Sequence, residues 1–468
     1  MSTLAEQLAE FAAGTRFEQL PPEVVSTLKA RCLDTLGVAL AARGVDAALA
    51  VSDVVRRWGG PAEATSLMTG EALPAAHAAL MNGTLAHALD FDDTHLPSVV
   101  HPSAALVPVA LAEAEAARVS GREFLAALAS GYEVSVRLSM AQFDKELGNS
   151  VFFEHGLHAT ASIGALAAAV VAARLRGLGA EGIANAMAIA CSMAAGLAEA
   201  NRTGGTVKRA HCGWAGHCAI SAAMLAQSGL TGPPTCLEGR FGFFHAFCGE
   251  RWHPGEVIAG LGSEWLSPAI AFKPYPCNHF THTVADAALA LRARGLTPDQ
   301  VQSVTIGTAA ASWRTIGDPI AEKRRPQTPY HAKFSAPFAF AAALVGGSGL
   351  GLSHEDFAPQ TLGDPTRAAV ADRCSVIVSE ACDAIFPYHF PAIVEVQTHD
   401  GRTLTEQVLT NLGTAERPLS DDDLAVKLRS NIGADGQELR GHIAQLERAP
   451  SVSELMLAAS RIAPREAA

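Results

Sequence analysis

Long apolar segments rich in alanine constrain the fold of this chain more than any other feature of its sequence. Two of them, Ala161–Ala173 and Ile183–Ala198, contain no charged residue. Both are shorter than the roughly 20 apolar residues that a membrane span needs, and alanine rather than leucine dominates them. Because alanine is small and only 6% of all residues are aromatic, we expect closely packed helices in the core of a soluble protein. We expect no association with a membrane.

The length and charge of the chain limit its organisation and its partners. With 468 residues it is too long for one ordinary hydrophobic core, so we expect two or three domains. A formal net charge of −12 argues against nucleic acid as a partner, because nucleic acid requires a basic surface. Nine scattered cysteines without a CxxC pair, and an N-terminus without signal-peptide features, predict reduced thiols and a cytoplasmic location.

The spacing of apolar residues divides the chain into a helical part and a mixed part. Helical patterns occupy residues 73–90, 103–117, 121–142, 157–176, 180–200 and 211–228. After a stretch rich in glycine and proline, helical patterns at 280–294, 333–346 and 354–373 alternate with strand-like runs at 301–308, 375–379, 392–398 and 403–409. The Asp400-Gly401 turn joins the last two runs in a predicted hairpin.

These patterns predict a mainly α protein with two domains. A large all-α helical domain comprises residues 1–267 together with 415–468. A smaller α+β domain, residues 268–414, is inserted before the C-terminal helices.

The stretch from His87 to Pro102 concentrates titratable groups between two apolar helical patterns. It contains three carboxylates, three imidazoles and a threonine, namely Asp90, Asp92, Asp93, His87, His95, His101 and Thr94. Buried charge is costly unless it is paired, hydrogen-bonded or used in chemistry. We interpret the stretch as one wall of an active site. The alternative is structural, since Asp92 and Asp93 are also suited to capping a helix or holding a turn.

Later segments supply cations and further histidines. Lys208 and Lys273 each lie among glycine, proline and apolar residues, which favours a buried role as much as an exposed one. The run Lys323–Arg325 is interpreted as a solvated face. Four other histidines are interpreted as hydrogen-bonded structural residues rather than catalytic ones: His155, His211, His217 and His331.

The motifs that the sequence lacks narrow the chemistry. It has no HExxH and no known zinc spacing, no GxSxG, no P-loop, and no GxGxxG after a strand. Acid–base chemistry on a small anion remains, with lysines that bind carboxylates and a carboxylate or imidazole that moves a proton at carbon. A dry pocket between domains would help to stabilise the charge that develops. This reasoning predicts a metal-free lyase or isomerase of a polycarboxylate.

Several separate segments, in the same order along the chain, resemble the MmgE/PrpD family. They are Gly83–Thr94, His101–Ser103, Leu33–Val38, Lys273–Cys277 and Lys333–Pro337. The resemblance extends from about residue 5 to about residue 455. It implies a homodimeric enzyme without metal or organic cofactor, in which a small lid domain closes over a larger helical domain and the site lies at their interface.

The resemblance also implies roles for individual residues. Functional positions of the decarboxylase branch match Asp90, Thr94, His101, His158, Lys208 and Lys273. We predict catalytic roles for Asp90, His101, His158 and Lys208, and substrate-binding roles for Thr94, Lys273, Asn278, His279 and Lys333. In this hypothesis Asp90 or His101 removes a proton alpha to a carboxylate, and His158 is the proton donor.

Two departures from the decarboxylase branch of the family bear on the reaction. Asn278 stands where that branch has a catalytic histidine, although His279 is adjacent. An amide cannot deliver a proton as an imidazolium does. The spacing from Thr94 to His101 is also one residue longer.

We therefore predict a cofactor-independent dehydratase of the 2-methylcitrate dehydratase type, acting on a small di- or tricarboxylate. The alternatives are an epimerase of an iminodisuccinate-like dicarboxylate and a cis-aconitate-type decarboxylase, because the same pocket groups serve all three reactions. The non-enzyme alternative is a degenerate family member that only binds carboxylates.

Overall fold

The computed structural model describes residues 2–200, 205–434 and 436–464, and it confirms the prediction of a mostly helical protein with small sheets. The chain divides into two compact units. Unit 1 contains residues 2–270 and 431–464, and unit 2 contains residues 271–430. That unit 2 acts as a lid stays a prediction.

The first part of unit 1 is built from long helices connected by short segments. The long helices are α1 (Leu4–Gly14), α2 (Pro22–Ala41), α3 (Asp46–Trp58), α4 (Ala75–His87), α5 (Ser103–Ala117), α6 (Gly121–Ala141), α7 (Ala159–Leu175), α8 (Ala180–Cys191) and α9 (Val207–Gln227). Two small antiparallel ladders pair β1 (Ala64–Thr65) with β2 (Ala72–Leu73) and β3 (Phe143–Asp144) with β4 (Asn149–Ser150). Short helices are Phe17–Gln19, Val151–Glu154, Phe243–Cys248, Pro254–Ile258 and Ser267–Ala269.

The first alanine-rich run lies in the core, as predicted, whereas the second is buried only in its helical part and is partly exposed after Ala190. Every residue of α7 from Ala159 to Ala173 is buried, as expected for a helix that is apolar on all faces. The helix predicted over 180–200 ends at Cys191. The backbone carbonyl of Gly196 instead accepts a hydrogen bond from the His158 N–H at 2.9 Å, so this segment follows a tertiary contact rather than its helical pattern.

Helices α4 and α9 cross at two glycines. A Cβ at Gly83 would lie 2.8 Å from the Cα of Gly213, and a Cβ at Gly213 would lie 2.2 Å from the carbonyl oxygen of Leu80. Two backbones can approach this closely only where neither carries a side chain. The crossing places the C-terminal end of α4 beside the N-terminal end of α9.

Unit 2 is built on a four-stranded mixed sheet. Its strands are β5 (Val301–Thr308), β6 (Cys374–Val378), β7 (Ala392–Thr398) and β8 (Thr403–Val408), in the order β6-β5-β7-β8. Only the β5–β6 pair is parallel. The β7–β8 pair is the predicted hairpin, and Gly401 in its turn has a φ of 83°.

The helices of unit 2 pack beside this sheet. They are α10 (His282–Ala293), α11 (Ala336–Val345) and α12 (Pro365–Asp372), with short helices at His279–Thr281, Pro298–Gln300, Ala310–Ile316, Ile320–Arg324, Pro329–Ala332, His354–Phe357, Pro359–Leu362 and Glu380–Asp383. Helix α10 contacts β7, β8 and α11. The single pattern predicted over 354–373 is wrong, because Pro359 and Pro365 each start a new helix there.

The C-terminal helices return to unit 1. Helix α13 (Asp421–Ile432) begins in unit 2 and ends in unit 1, and it is followed by α14 (Gln437–Ala444), the short helix Leu446–Arg448 and α15 (Ser453–Arg461). The N–H of Gly121 donates to the carbonyl of Ala449 at 2.9 Å. The Lys29 ammonium pairs with Glu447 at 2.6 Å. Across the described ranges, no helix combines the length and apolar character that crossing a membrane requires.

The glycine crossing predicts opposite effects for two alanine substitutions. Gly213→Ala should lower the free energy of unfolding by about 1–3 kcal/mol, because the new methyl group overlaps the backbone of α4. Gly441→Ala is the matched control, since this exposed helical glycine has no neighbouring atom within 4 Å. It should stabilise the protein by roughly 0.5–1 kcal/mol. Denaturant titration followed by circular dichroism measures both, and equal effects would contradict the crossing.

Candidate active site

The segment that connects α4 to α5 is buried, unlike most connections between helices. A buried connection must satisfy its own polar groups. Asp90 and Val99 have φ angles of 55° and 52°, a left-handed conformation that non-glycine residues seldom adopt. His95 closes the segment, because its N–H donates to the Val100 carbonyl at 2.9 Å. The backbone is thus held in an unusual path by internal bonds, as is common at functional sites.

A buried ion pair anchors this segment to α2. The Arg31 guanidinium lies 2.8 Å from the Asp93 carboxylate. The backbone N–H of Ser103 donates to the same carboxylate at 3.1 Å, and the Ser103 hydroxyl also donates to it. The hydroxyl of Tyr132 completes the network through Ser103. Burial raises the pKa of Asp93, while Arg31 and Ser103 act to lower it.

The position of His101 defines which of its nitrogens can accept a proton. Its Nδ1 lies 2.6 Å from the backbone oxygen of Asp93 and 3.1 Å from Oγ1 of Thr94. A carbonyl oxygen only accepts hydrogen bonds, so Nδ1 carries the hydrogen and the neutral ring has its lone pair on Nε2. The backbone N–H of His101 donates to Oγ1 of Thr160 at 3.2 Å and orients the ring further.

Three further imidazoles surround His101 in unit 1. The rings of His87 and His101 are 5.7 Å apart, and those of His87 and His158 are 5.4 Å apart. His158 and His211 face each other with 2.9 Å between their Nδ1 atoms. A hydrogen bond between two Nδ1 atoms requires that at least one of them be unprotonated. We call His87, His101, His158 and His211 the histidine cluster.

The electrostatics around His158 and His211 favour neutral imidazoles. Burial, followed by the Lys208 ammonium and the neighbouring rings, holds the pKa of His158 well below its usual value. Burial, His87 and Lys208 lower the pKa of His211 to about 4. Lys208 itself is buried near the start of α9. At neutral pH this part of the site therefore offers proton acceptors beside a cation.

The role of His158 as proton donor stays a prediction. A ring whose pKa is strongly lowered is neutral at neutral pH and delivers a proton poorly. Nδ1 of His87, in the same cluster, lies 2.7 Å from the Asp92 carboxylate. A histidine bonded to a carboxylate is held in a fixed orientation.

Sequence reasoning missed two members of the cluster. His211 was interpreted as structural, and His87 was not placed among the site residues. One signal for His211 was its position three residues after Lys208 on one helix, which puts both side chains on the same face. The signal for His87 was the carboxylate five residues later. Asp90, which was predicted to be catalytic, is buried and donates its N–H to the His87 carbonyl at 3.3 Å; its catalytic role stays a prediction.

The remaining predicted site residues lie in unit 2. Lys273, His279 and Lys333 are buried. The Asn278 N–H donates to the Lys333 carbonyl at 3.0 Å, so the two segments are adjacent. The Asn278 side-chain oxygen accepts from the Phe280 N–H at 3.1 Å and caps a short helix. The substrate-binding roles of these four residues stay predictions.

No three histidine, cysteine, aspartate or glutamate side chains within residues 2–200, 205–434 and 436–464 are arranged to hold a metal ion. Within the histidine cluster, the described contacts are hydrogen bonds between His158 and His211 and between His87 and Asp92.

Comparison with known proteins identifies the family. The model of the MmgE/PrpD N-terminal domain matches residues 6–254, and that of the MmgE/PrpD C-terminal domain matches residues 275–447. The chain belongs to the MmgE/PrpD family, as the sequence motifs predicted.

The curated relatives are decarboxylases by name. Cis-aconitate decarboxylase of Homo sapiens is 30% identical over 455 residues, which cover 92% of this chain and 88% of the relative. The Mus musculus enzyme of the same name is 29% identical over 445 residues, covering 92% and 87%. A cis-aconitate decarboxylase-like protein of Aspergillus oryzae, oryM, is 28% identical over 402 residues, covering 81% of each chain. These relatives support an enzyme with a lyase-type role.

The lowered pKa of His211 predicts how acid destabilises the protein. An imidazole in the unfolded chain has a pKa near 6.5, so between pH 6.5 and about 4 the unfolded chain binds a proton that folded His211 does not. Its contribution to stability is therefore complete above pH 6.5 and is lost as the pH falls. His211→Gln should lose less thermal stability than the wild type between pH 6.5 and 5.

Comparing His211→Gln with the wild type also controls for the other groups that titrate in this pH range. Burial raises the pKa of Glu113 and of Glu133 to about 7, which acts in the opposite direction, but these groups are the same in both proteins. If the melting temperatures of wild type and His211→Gln fall in parallel between pH 6.5 and 5, then folded His211 binds its proton in the same pH range as the unfolded chain, and the prediction is wrong.

Proposed function

We propose that this protein is a cofactor-independent lyase that removes a proton alpha to a carboxylate of a small di- or tricarboxylate. The observation that carries the proposal is the contact between His101 Nδ1 and the Asp93 carbonyl, which leaves Nε2 of a neutral ring as the base. The family and its lyase-type relatives support the same class of reaction.

In the proposed mechanism Lys208 binds a carboxylate of the substrate. Its ammonium also stabilises the second negative charge that gathers on that carboxylate when the adjacent carbon loses its proton. His101 accepts the proton on Nε2, and its Nδ1–H continues to donate to the Asp93 carbonyl. Oγ1 of Thr94, 3.1 Å from the same Nδ1, also accepts from this N–H, and its hydroxyl hydrogen is left to donate to the substrate.

We propose dehydration as the outcome. The electron pair released at the alpha carbon forms the double bond, and the β-hydroxyl leaves as water after it takes a proton from His87. Asp92 supports this donor at 2.7 Å. Asn278 favours dehydration over decarboxylation, because its amide oxygen caps a helix and an amide delivers no proton.

Decarboxylation of a cis-aconitate-like acid is the second candidate. The curated relatives carry that name at 25–30% identity over most of their length. In this case the bond to a carboxylate breaks instead of the bond to a hydroxyl, and the released electron pair is protonated at carbon.

A substrate screen distinguishes these reactions. The protein is incubated in deuterated buffer with citrate, methylcitrate, cis-aconitate and an aminodicarboxylate, and products are identified by NMR. Dehydration yields an unsaturated acid and water, while decarboxylation yields carbon dioxide and one carbon fewer. Deuterium at the alpha carbon that is unchanged by a chelator supports the proposed proton transfer without a metal. Loss of turnover on EDTA treatment would contradict cofactor independence, and no exchange with any acid would favour a protein that only binds carboxylates.

Lys208 provides the sharpest single-residue test. Lys208→Ala should lower kcat/KM by about 10²-fold or more, because it removes a buried cation from the developing charge. Lys29→Ala is the matched control, since this lysine pairs with Glu447 in the C-terminal part of unit 1. Near wild-type kinetics of Lys208→Ala would remove this residue from the site.

A further inference from the structure

We infer that Arg31 is a positioning residue, which fixes through Asp93 the tautomer of His101 that accepts the substrate proton. The inference rests on the proposed role of His101 as the base. Arg31 lies in α2, 62 residues before Asp93 in the chain, and bonds to the Asp93 carboxylate and to two backbone carbonyls. Its influence would pass through one intermediate residue.

The first step is the ion pair itself. Both side chains are only 1% exposed, and they lie 2.8 Å apart. An ion pair taken wholly out of water is stable only where the geometry is good and additional hydrogen bonds satisfy both partners. Asp93 meets this condition through the N–H of Ser103 at 3.1 Å and through the Ser103 hydroxyl. The Asp93 side chain is therefore held on two sides.

The second step runs from the side chain of Asp93 to its backbone. Because the carboxylate is fixed by α2 and by the first residue of α5, the carbonyl of the same residue has a fixed direction. That carbonyl accepts from His101 Nδ1 at 2.6 Å. The bond favours the ring with hydrogen on Nδ1 and disfavours the ring with hydrogen on Nε2, which has no lone pair for the substrate proton.

The other edge of the guanidinium explains why arginine is needed. Its Nη2 donates to the carbonyls of Ser267, at 3.3 Å, and of Ile270. Ile270 is the last residue of unit 1 before the chain enters unit 2. A planar guanidinium donates in two directions at once, whereas a lysine ammonium acts as a point charge. Arg31 thus connects the segment that contains His101 with the residues of unit 1 that precede residue 271.

Arg137 is a matched control for a purely structural role. It is equally buried, lies 3.6 Å from Glu133, and donates to the carbonyls of Ala259 and Glu264. Glu133 in turn accepts from the Ser267 N–H at 3.0 Å, so this pair holds the same segment of unit 1. It makes no contact with Asp93 in the bonds described above, and a conservative change there should affect stability without affecting His101.

The experiment compares Arg31→Lys, Arg137→Lys and the wild type by kinetics and by NMR. Arg31→Lys should lower kcat about 10²-fold with KM changed by less than about threefold, because the base is misoriented rather than the substrate lost. In protein labelled with ¹⁵N in histidine, the His101 ring should change from hydrogen on Nδ1 to a mixture of tautomers. His101→Asn assigns those signals. Arg137→Lys should keep the wild-type tautomer and kcat.

Each outcome decides the inference. If the His101 ring of Arg31→Lys keeps the wild-type tautomer, Arg31 is structural and the inference is wrong. The same holds if Arg31→Lys and Arg137→Lys both lower kcat while the tautomer of His101 stays unchanged. If the wild type turns over no acid, the proposed function fails, yet the tautomer measurement still tests the link from Arg31 to His101. If Arg31→Lys does not fold, Ser103→Ala replaces it, because loss of the hydroxyl that holds Asp93 should shift the tautomer in the same direction.

Discussion

The close crossing of α4 and α9 is the constraint on which the candidate active site depends. Glycines at 83 and 213 let the two backbones approach to a distance that one methyl group would prevent. His87 ends α4 one turn after Gly83, and Lys208 lies at the start of α9. Close packing at the two glycines thus places the imidazole at the end of α4 near the cation at the start of α9. A polar cluster is assembled inside an alanine-rich core.

Local patterns predicted the elements well, and tertiary contacts account for the failures. The hairpin over 392–398 and 403–408 was predicted closely, because strand alternation and an Asp-Gly turn are local signals. The helix predicted to reach residue 200 stops at 191, since the Gly196 carbonyl bonds to His158. The site followed the same rule. His101 lies in a family motif, whereas the contact of His211 with His158 joins residues 53 positions apart and appears only once α9 is packed beside its neighbours.

The lowered pKa values of His158 and His211 have a consequence for the order of events in the proposed reaction. The Lys208 ammonium helps to keep the pKa of His158 and His211 low while no anion is bound. A substrate carboxylate beside Lys208 offsets that positive charge, so the same rings become better bases when the substrate arrives. Binding of the anion and activation of the proton acceptors would therefore be one electrostatic event.

The return of the C-terminal helices to unit 1 has a consequence for the synthesis of the protein. Gly121 and Lys29 bond to partners near residue 448, which the ribosome makes only after the whole of unit 2. At roughly 5–20 residues per second, the first 270 residues wait many seconds for these partners. Unit 2, which is continuous in sequence over 271–430, can complete its own sheet earlier. The inserted unit is thus able to fold before the unit that hosts it is complete.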